Sequence, residues 1–197
     1  VLAVTFTKRA AVEMRERLTA LGVPGVQART FHSAALRQLQ YFWPSAIGGS
    51  MPPLIEHKAS LISAAAARIG IRADKALVRD LAAEVEWSKV SMLDADAYAE
   101  AVRTNRRTPP GDLSIDDVLA LMDAYQEAKE DRGVLDFEDV LVLTAGILQD
   151  YPAIAQRIHR QYRSFVVDEY QDVSALQHHV LSLWLGGRHD ICVVGDV

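Results

Sequence analysis

Short apolar runs alternate with amphipathic segments at the start of the chain. Residues 1–6 form a β-branched and aromatic run, and apolar residues recur at helical spacing over 10–21, which predicts a strand followed by a helix. The same order recurs as a strand over 26–30 and a helix over 34–43. We therefore predict two strand–helix units before the Pro-, Gly- and Ser-rich stretch 44–53, which is a candidate linker.

The middle of the chain shows only helical patterns, and strands return near its end. Helices are predicted over 59–69, 75–87, 95–102 and 115–132, then over 137–148, 153–162 and 175–185, with strands over 164–167 and 190–194. Helices between strands favour a parallel sheet. The prediction is an α/β domain over 1–56 and 133–197, carrying an all-helical insertion over 57–132.

Composition and charge narrow the class of protein. The 197 residues are 50% hydrophobic and 24% charged, which is typical of a globular chain and excludes disorder as the main state. The net charge of −5 excludes a general basic field, so any binding of nucleic acid must use a local patch. The longest apolar run, 140–148, is too short to cross a bilayer, and we expect no membrane association.

The single cysteine and the first residue add two expectations. Cys192 excludes an internal disulfide and a cysteine-based zinc site, so we expect a reducing compartment, the cytoplasm, with the thiol filling the core. Val1 opens directly on an apolar run without a preceding turn, so we expect the sequence to be a piece of a longer protein.

Polar or aromatic residues follow each of the four predicted strands. Because the carboxyl ends of parallel strands meet at one edge of a sheet, where open α/β folds bind ligands, these clusters predict a single site. The clusters are Thr5-Phe6-Thr7, Thr30-Phe31-His32-Ser33, Asp168-Glu169 and Gly195-Asp196.

The acidic pair after the third strand carries the clearest chemistry. Of two adjacent carboxylates, one can hold Mg²⁺ and the other can position or deprotonate an attacking water, as a nucleotide hydrolase requires. The alternative is that Asp168 and Glu169 only begin a turn or cap the next helix. The dipeptide by itself favours this alternative.

Five segments, in order along the chain, resemble the motifs of the UvrD/PcrA/Rep family of superfamily 1 DNA helicases. The acidic segment resembles the family's Walker B motif, close to DE(Y/F)QDTNxxQ, and the others resemble TFTNKAAxEM, TFHS, DFxDLL and the start of GDxxQSIY. The helical block lies where this family inserts subdomain 1B into the RecA-like, P-loop NTPase domain 1A. The segments are Val167–Gln177, Thr5–Met14, Thr30–Ser33, Asp136–Leu141 and Val194–Asp196.

The resemblance implies an ATP-dependent DNA translocase and helicase that uses ATP and Mg²⁺ and serves DNA repair. It implies a Mg²⁺ role for Asp168 and a general-base role for Glu169, with Gln171 and Asp196 sensing the γ-phosphate. Single-stranded DNA, junctions of single-stranded and duplex DNA and repair proteins are the implied partners. The implied DNA-facing residues are Thr5, Phe6, Thr7, Arg9, Thr30, Phe31 and His32.

Several of these residues have a structural alternative. Phe6 and Phe31 are also explained as core residues, and His32 as a hydrogen-bonded structural histidine. Asp136 and Asp139 are better explained as the cap of their helix than as catalytic groups. The basic loop containing Arg103, Arg106 and Arg107 is either a contact to the DNA backbone or a solvated loop.

The sequence departs from the family pattern at three places. Lys8-Arg9 stands where the family has Asn-Lys, so the second position keeps its cation and the first exchanges an amide for a charge. Val173-Ser174 stands where the family has Thr-Asn. No G-x-x-x-x-G-K-[ST] loop, which would cradle the phosphates, occurs in the sequence. We therefore predict that this chain by itself neither hydrolyses ATP nor unwinds DNA. A non-catalytic single-strand-binding or partner-docking module, and a helicase-nuclease, are the competing functions.

Overall fold

A computed structural model describes residues 1–23 and 25–196, so that Pro24 and Val197, the last residue of the predicted first domain, lie outside the described residues. Its sheet has four parallel strands in the order β2-β1-β3-β4, which confirms the predicted parallel α/β class. The strands are β1 Leu2–Thr5, β2 Gln27–Thr30, β3 Phe165–Val167 and β4 Ile191–Val193.

Nine α-helices occur in the described part of the chain, and a 3₁₀ turn, Tyr170–Asp172, follows β3. Ser114 and Ser174 begin two of the helices with reciprocal side-chain and main-chain hydrogen bonds. The helices are α1 Lys8–Ala20, α2 Phe31–Ala46, α3 Ala59–Arg68, α4 Lys75–Val90, α5 Ala95–Arg103, α6 Ile115–Arg132, α7 Phe137–Asp150, α8 Pro152–Gln161 and α9 Ala175–Leu185.

Helix α2 is longer than predicted, because it continues through Pro44. A proline inside a helix removes one main-chain hydrogen bond, and in the last turn this loss is small. Phe42 and Trp43 are buried beside it, and the amides of Ile47 and Gly48 donate to the Trp43 carbonyl at 2.9 and 3.1 Å. Packing of these two aromatic side chains therefore keeps the last turn helical where the proline predicted a linker.

The chain divides into two compact units. The first unit contains Val1–Met51 and the chain from Val140 onward, and the second is Pro52–Asp139. Helices α3 to α6 lie in the second unit, together with one isolated parallel bridge between Leu54 and Leu135. The bridge extends this unit beyond the predicted limits of 57 and 132, because single bridging residues leave no periodic pattern in the sequence.

Three stacked aromatic rings form the centre of the first unit. The Trp184 ring lies between Phe31 and Phe165, with centroids 6.0 and 6.1 Å away and nearly parallel planes. Trp184 is fully buried, and its Nε1 donates to Gln38 Oε1 at 2.8 Å. The stack thus joins the start of α2 to β3 through α9.

The second unit has its own apolar core, formed mainly by α3, α4 and α6. The core residues Leu61, Ile62, Leu81 and Leu121 are at most 1% exposed. No helix among the described residues is both long enough and apolar enough to span a bilayer.

Cys192 does not fill the core, and that prediction is wrong. The thiol-bearing residue is exposed on β4, which is an edge strand of the described sheet. The apolar run around it predicted burial, but on the edge strand only part of that run is covered.

Candidate functional site

All four polar clusters lie at one edge of the sheet, beyond the carboxyl ends of the strands. We call this edge the carboxyl edge; it comprises residues 5–7, 30–33, 168–171 and 194–196. The Asp168 amide donates to the Val4 carbonyl at 3.0 Å, and the Tyr170 amide donates to the Val194 carbonyl at 2.9 Å. Main-chain hydrogen bonds therefore join the acidic segment to β1 itself and to the segment that follows β4.

Glu169 has an unusual backbone conformation for a residue with a side chain. Its φ of 51° and ψ of 47° are left-handed, which costs roughly 1–2 kcal/mol outside glycine. Its Oε2 accepts a hydrogen bond from Gln171 Nε2 at 2.6 Å. Such strain persists where the surrounding structure fixes it, and it is common at functional sites. Here it orients the second carboxylate of the acidic pair.

Gln171 also contacts the segment after β4. A Cβ atom added to Gly195 would overlap Gln171 Oε1, so a larger residue at this position would displace the Gln171 side chain. The Gln171 amide group therefore lies between the Glu169 carboxylate and the Gly195-Asp196 segment. Two of the predicted site residues, Glu169 and Gln171, belong to this arrangement, and Asp196 directly follows the glycine that Gln171 contacts.

The carboxylates of the carboxyl edge have no cationic partners among the described residues. Asp168 is half-buried and Glu169 and Asp196 are exposed, and none of them is within ion-pair distance of a lysine or arginine there. No group of three or more His, Cys, Asp or Glu side chains is arranged as a metal site in the described chain. Oxygen ligands for a metal ion at this edge would therefore come from individual carboxylates and not from a preformed cluster of ligands.

The two phenylalanines of this edge differ in accessibility. Phe6 is half-buried, whereas Phe31 is 1% exposed and stacks on Trp184. The rings of Phe6 and Phe31 meet edge to face, with centroids 6.4 Å apart. Phe31 therefore has the core position that the sequence left open as its alternative, and its ring has no free face for a base. Phe6 is the ring that solvent reaches.

The threonines of the two aromatic motifs act at helix starts. Thr7 Oγ1 accepts from the Ala10 amide at 3.0 Å and begins α1, and Thr30 Oγ1 accepts from the Ser33 amide at 3.1 Å and begins α2. Thr5 is fully buried and donates to the Thr7 carbonyl. The hydroxyls of Thr5, Thr7 and Thr30 thus have structural partners already, and Thr7 is the exposed one.

The remaining two predicted DNA-facing residues lie in the first turns of α1 and α2. Arg9 is exposed and forms no ion pair within the described residues. Burial lowers the pKa of His32 to about 4, so that its imidazole is neutral near pH 7. At this edge Arg9 therefore offers a positive charge, and His32 offers an uncharged ring.

Asp136 and Asp139 cap helix α7, which confirms the prediction made for them. The Asp139 amide donates to Asp136 Oδ1 and the Asp136 amide donates to Asp139 Oδ2, both at 2.9 Å. The sequence did not show that the two carboxylates also bind Lys89 and Lys129. Lys89 Nζ lies 2.8 Å from Asp136 and 2.7 Å from Asp139, and Lys129, 1% exposed, lies 3.2 and 2.5 Å from the same residues.

The groups of this buried cluster shift one another's pKa values. Burial by itself would raise the pKa of Asp136, but the positive charges of Lys89 and Lys129 outweigh it and hold the pKa well below its ordinary value. Burial and the nearby Lys89 charge lower the pKa of Lys129. These groups stabilise the second unit and are not part of the carboxyl edge.

The basic loop fits neither of its two predicted roles completely. Arg107 binds Glu84, which is 1% exposed, through Nε and Nη2, and its guanidinium lies 4.3 Å from the centre of the Trp87 ring. Arg107 is therefore a structural residue. Arg103 pairs with Glu100 on the surface at 2.7 Å, and Arg106 is exposed.

The fold and the carboxyl edge define a parallel α/β protein with acidic and aromatic segments on neighbouring strand ends. The chain belongs to the UvrD/REP helicase N-terminal domain family, whose model matches residues 1–197. This result confirms the resemblance found in the sequence.

Alignments with two curated relatives cover the whole chain. It is 47% identical to ATP-dependent DNA helicase UvrD2 of Mycobacterium bovis and 31% identical to ATP-dependent DNA helicase UvrD1 of Mycobacterium leprae. Each alignment covers 100% of this chain but only 29% and 27% of those relatives. A shorter match, 37% identical over 86 residues, links 42% of the chain to 7% of an ATP-dependent helicase/nuclease protein of Natranaerobius thermophilus.

Proposed function

We propose that this chain is part of an ATP-dependent DNA helicase that couples ATP hydrolysis to movement on single-stranded DNA and to unwinding at junctions with duplex. The observation that carries the proposal is the carboxyl edge, where Gln171 lies between Glu169 and the Gly195-Asp196 segment while Phe6 lies beyond the adjacent strand. A ligand at the acidic strands can thus influence the neighbouring aromatic strand end.

The acidic segment fits Mg²⁺ bound with ATP. Mg²⁺ binds in proteins through one or two carboxylates, and its remaining ligands are waters and phosphate oxygens. Asp168 carries a carboxylate without a cationic partner among the described residues, and one such carboxylate is enough to bind Mg²⁺ together with phosphate oxygens. When bound, Mg²⁺ would neutralise charge on the phosphates.

The chain's own groups have distinct parts in the proposed hydrolysis. The Glu169 carboxylate accepts a proton from the attacking water, and Gln171 holds this carboxylate in place through the 2.6 Å hydrogen bond. Gln171 and Asp196 contact the γ-phosphate side of the site. Loss of that contact lets the Gln171 side chain, whose Oε1 lies beside Gly195, change its position.

Single-stranded DNA is proposed to bind at the other half of the carboxyl edge. Phe6 stacks on a base, and the exposed Thr7 and Arg9 contact phosphates, without reading the sequence. Phe31 supports Phe6 from the core, Thr5 and Thr30 hold the strand ends, and the neutral His32 contributes hydrogen bonding and contact area. We also propose that the protein acts in DNA repair, with repair proteins as partners, and that it is cytoplasmic.

The two compact units are proposed to correspond to the family's subdomains. The parallel sheet unit is proposed as part of the RecA-like domain 1A, and Pro52–Asp139 as the helical insertion 1B. The support for this is that α3 to α6 all lie in the second unit. Since the sequence contains no G-x-x-x-x-G-K-[ST] loop, we propose that the 197 residues alone bind DNA without hydrolysing ATP.

The test replaces the matching segment of the Mycobacterium bovis UvrD2 helicase, 29% of that protein, with this chain. We expect the chimera to unwind a duplex with a single-stranded tail when Mg²⁺ and ATP are present, and Glu169→Gln to lower kcat at least 100-fold with little change in DNA affinity. A chimera that folds and binds DNA, but keeps its ATPase with Glu169→Gln, would contradict the assignment of the base.

The DNA surface is tested on the chain itself by fluorescence titration with a single-stranded oligonucleotide. Phe6→Ala should weaken binding by about 1–3 kcal/mol, the usual contribution of one stacked base. Asp190→Ala, an exposed residue before β4 at the opposite end of the strands, serves as the control. Equal affinities of wild type and Phe6→Ala would exclude this surface. DNA binding by the chimera without any ATP turnover would favour the non-catalytic module.

A further inference from the structure

A groove lies between helices α2 and α8 of the first unit. Its volume is about 540 Å³, and we call it the arginine groove; its defining residues are Arg37, Gln38, Tyr41, Arg157, Arg160 and Tyr162. Tyr162 Oη donates to Gln27 Oε1 at 3.1 Å, and Gln27 is the first residue of β2. The groove therefore borders the amino ends of the strands, opposite the carboxyl edge.

The groove concentrates positive charge in a chain of net charge −5. None of Arg37, Arg157 and Arg160 forms an ion pair with a carboxylate in the described parts of the chain. Burial raises the pKa of Tyr162, and the positive charges of Arg29 and Arg37 oppose this rise. Uncompensated guanidinium groups at one place favour an anionic ligand, and their planar donors suit phosphate or carboxylate.

Gln38 adds a donor at the inner wall of the groove. This residue is 8% exposed, and its Oε1 accepts the hydrogen bond of Trp184. Its Nε2 is buried and has no acceptor among the described residues. Gln38 also lines the groove, so a ligand bound there would lie close to this buried amide.

Tyr41 gives the groove an aromatic surface. It is 65% exposed, and the Arg157 guanidinium lies 5.4 Å from its ring centre and donates to its hydroxyl at 2.9 Å. An accessible ring beside a fixed guanidinium is suited to a ligand with both a planar base and a phosphate. The volume is within the range of small-ligand sites. An acidic peptide would use the charges but not the ring.

We propose that the arginine groove binds a nucleotide unit, with the phosphate on the arginines, close to Gln38, and the base on Tyr41. The ligand is either a free nucleotide or a unit of a single-stranded nucleic acid, since both present the same chemistry. The site is additional to the carboxyl edge, and its existence does not depend on the helicase function proposed above.

The first arm of the test uses fluorescein-labelled octathymidylate and the wild-type chain, Arg37→Glu and the control Arg15→Glu. Arg15 is an exposed arginine of α1 outside the groove, so the control makes the same change in net charge. Arg37→Glu should lower the affinity about tenfold and reduce the slope of log K against log salt by about 0.7, as for one lost phosphate contact. Arg15→Glu should change the affinity less than twofold.

The second arm uses thymidine 5′-monophosphate and thymidine, with NMR detection of the Gln38 side-chain amide. The monophosphate should shift this amide signal in the wild type but not in Arg37→Glu, and thymidine should not shift it. A shift with the monophosphate but no effect of Arg37→Glu on octathymidylate identifies the free nucleotide as the source. Effects in both arms identify the nucleic-acid strand.

Other outcomes separate this proposal from the function proposed for the carboxyl edge. If Phe6→Ala weakens octathymidylate binding while Arg37→Glu changes neither arm, the groove proposal is overturned and the carboxyl edge stands. If Arg37→Glu weakens binding and Phe6→Ala does not, the groove stands and the DNA surface at the carboxyl edge fails. A hexaglutamate peptide that binds more tightly than octathymidylate and shifts the Gln38 amide would also overturn the proposal.

Discussion

The two compact units use charged residues in opposite ways. In the second unit Asp136 and Asp139 are buried, and two lysines neutralise them, while in the first unit Asp168 and Glu169 have no cationic partner among the described residues. The arginines differ in the same manner, since Arg107 is bound to a buried glutamate and the arginines of the groove are not. An acidic pair or a basic cluster therefore indicates a site only where its charge is left uncompensated.

The largest expected change in stability comes from removing one of the two lysines that neutralise Asp136 and Asp139. Lys129→Met removes a cation that is 1% exposed and leaves two buried carboxylates with Lys89 alone. We expect the free energy of unfolding, measured by urea denaturation, to fall by about 3–5 kcal/mol. The matched change in the first unit, Arg160→Met, should cost less than about 0.5 kcal/mol. Equal losses in both variants would remove the distinction between the units.

The basic loop allows the same comparison within one unit. Arg107→Gln leaves the Glu84 carboxylate buried without its cation and should cost about 2–3 kcal/mol in urea denaturation. Arg103→Gln breaks only the exposed pair with Glu100 and should cost at most about 0.5 kcal/mol. If Arg107→Gln were as stable as Arg103→Gln, Arg107 would be free for the DNA contact first considered for it.

Acid should destabilise the first unit through His32. The pKa of His32 is lowered by burial to about 4, so the unfolded chain takes up its proton before the folded chain does. Stability should therefore fall as the pH decreases from about 6.5 to 4, by on the order of 1–2 kcal/mol after allowance for the exposed part of the ring. His32→Gln should show a smaller loss over this range, and an unchanged pH profile would contradict the prediction.

The smallest expected effect concerns backbone strain at the acidic pair. Glu169→Gly removes the left-handed strain and should raise the free energy of unfolding by about 1 kcal/mol, although it deletes the proposed base. Asp172→Gly is the control, because Asp172 has no positive φ and glycine there only adds flexibility to the unfolded chain. A loss of stability with Glu169→Gly would mean that its side-chain contacts outweigh the strain.

The sequence predicted the carboxyl edge because that information is local. Each strand is a short apolar run, and the residues directly after it, such as Asp168 and Thr30, must lie at its end once the strands are parallel. The caps formed by Asp136 and Asp139 are equally local, since they involve residues three positions apart. Strand order and register still required the structure.

Burial and distant pairing could not be predicted in the same way. Phe6 and Phe31 occupy similar motif positions, but only Phe31 meets Trp184, which is far away in the chain. The partners of Lys129 likewise become apparent only when α6 packs beside the start of α7. The prediction that Cys192 fills the core is wrong because an apolar run does not show whether its strand lies at an edge.

The bridge between Leu54 and Leu135 has a consequence for the order of assembly. The Ile55 amide donates to Leu135 and the Leu135 amide donates to Pro53, at 2.9 and 3.0 Å, so the two ends of the helical segment are held together. The sheet must pair β1 with β3, which are separated by most of the chain. Once the bridge forms, the loop to be closed is about half as long, and each halving lowers the entropic barrier by about 0.6 kcal/mol. The helical segment, although it lies outside the sheet, thereby lowers the entropic cost of pairing β1 with β3.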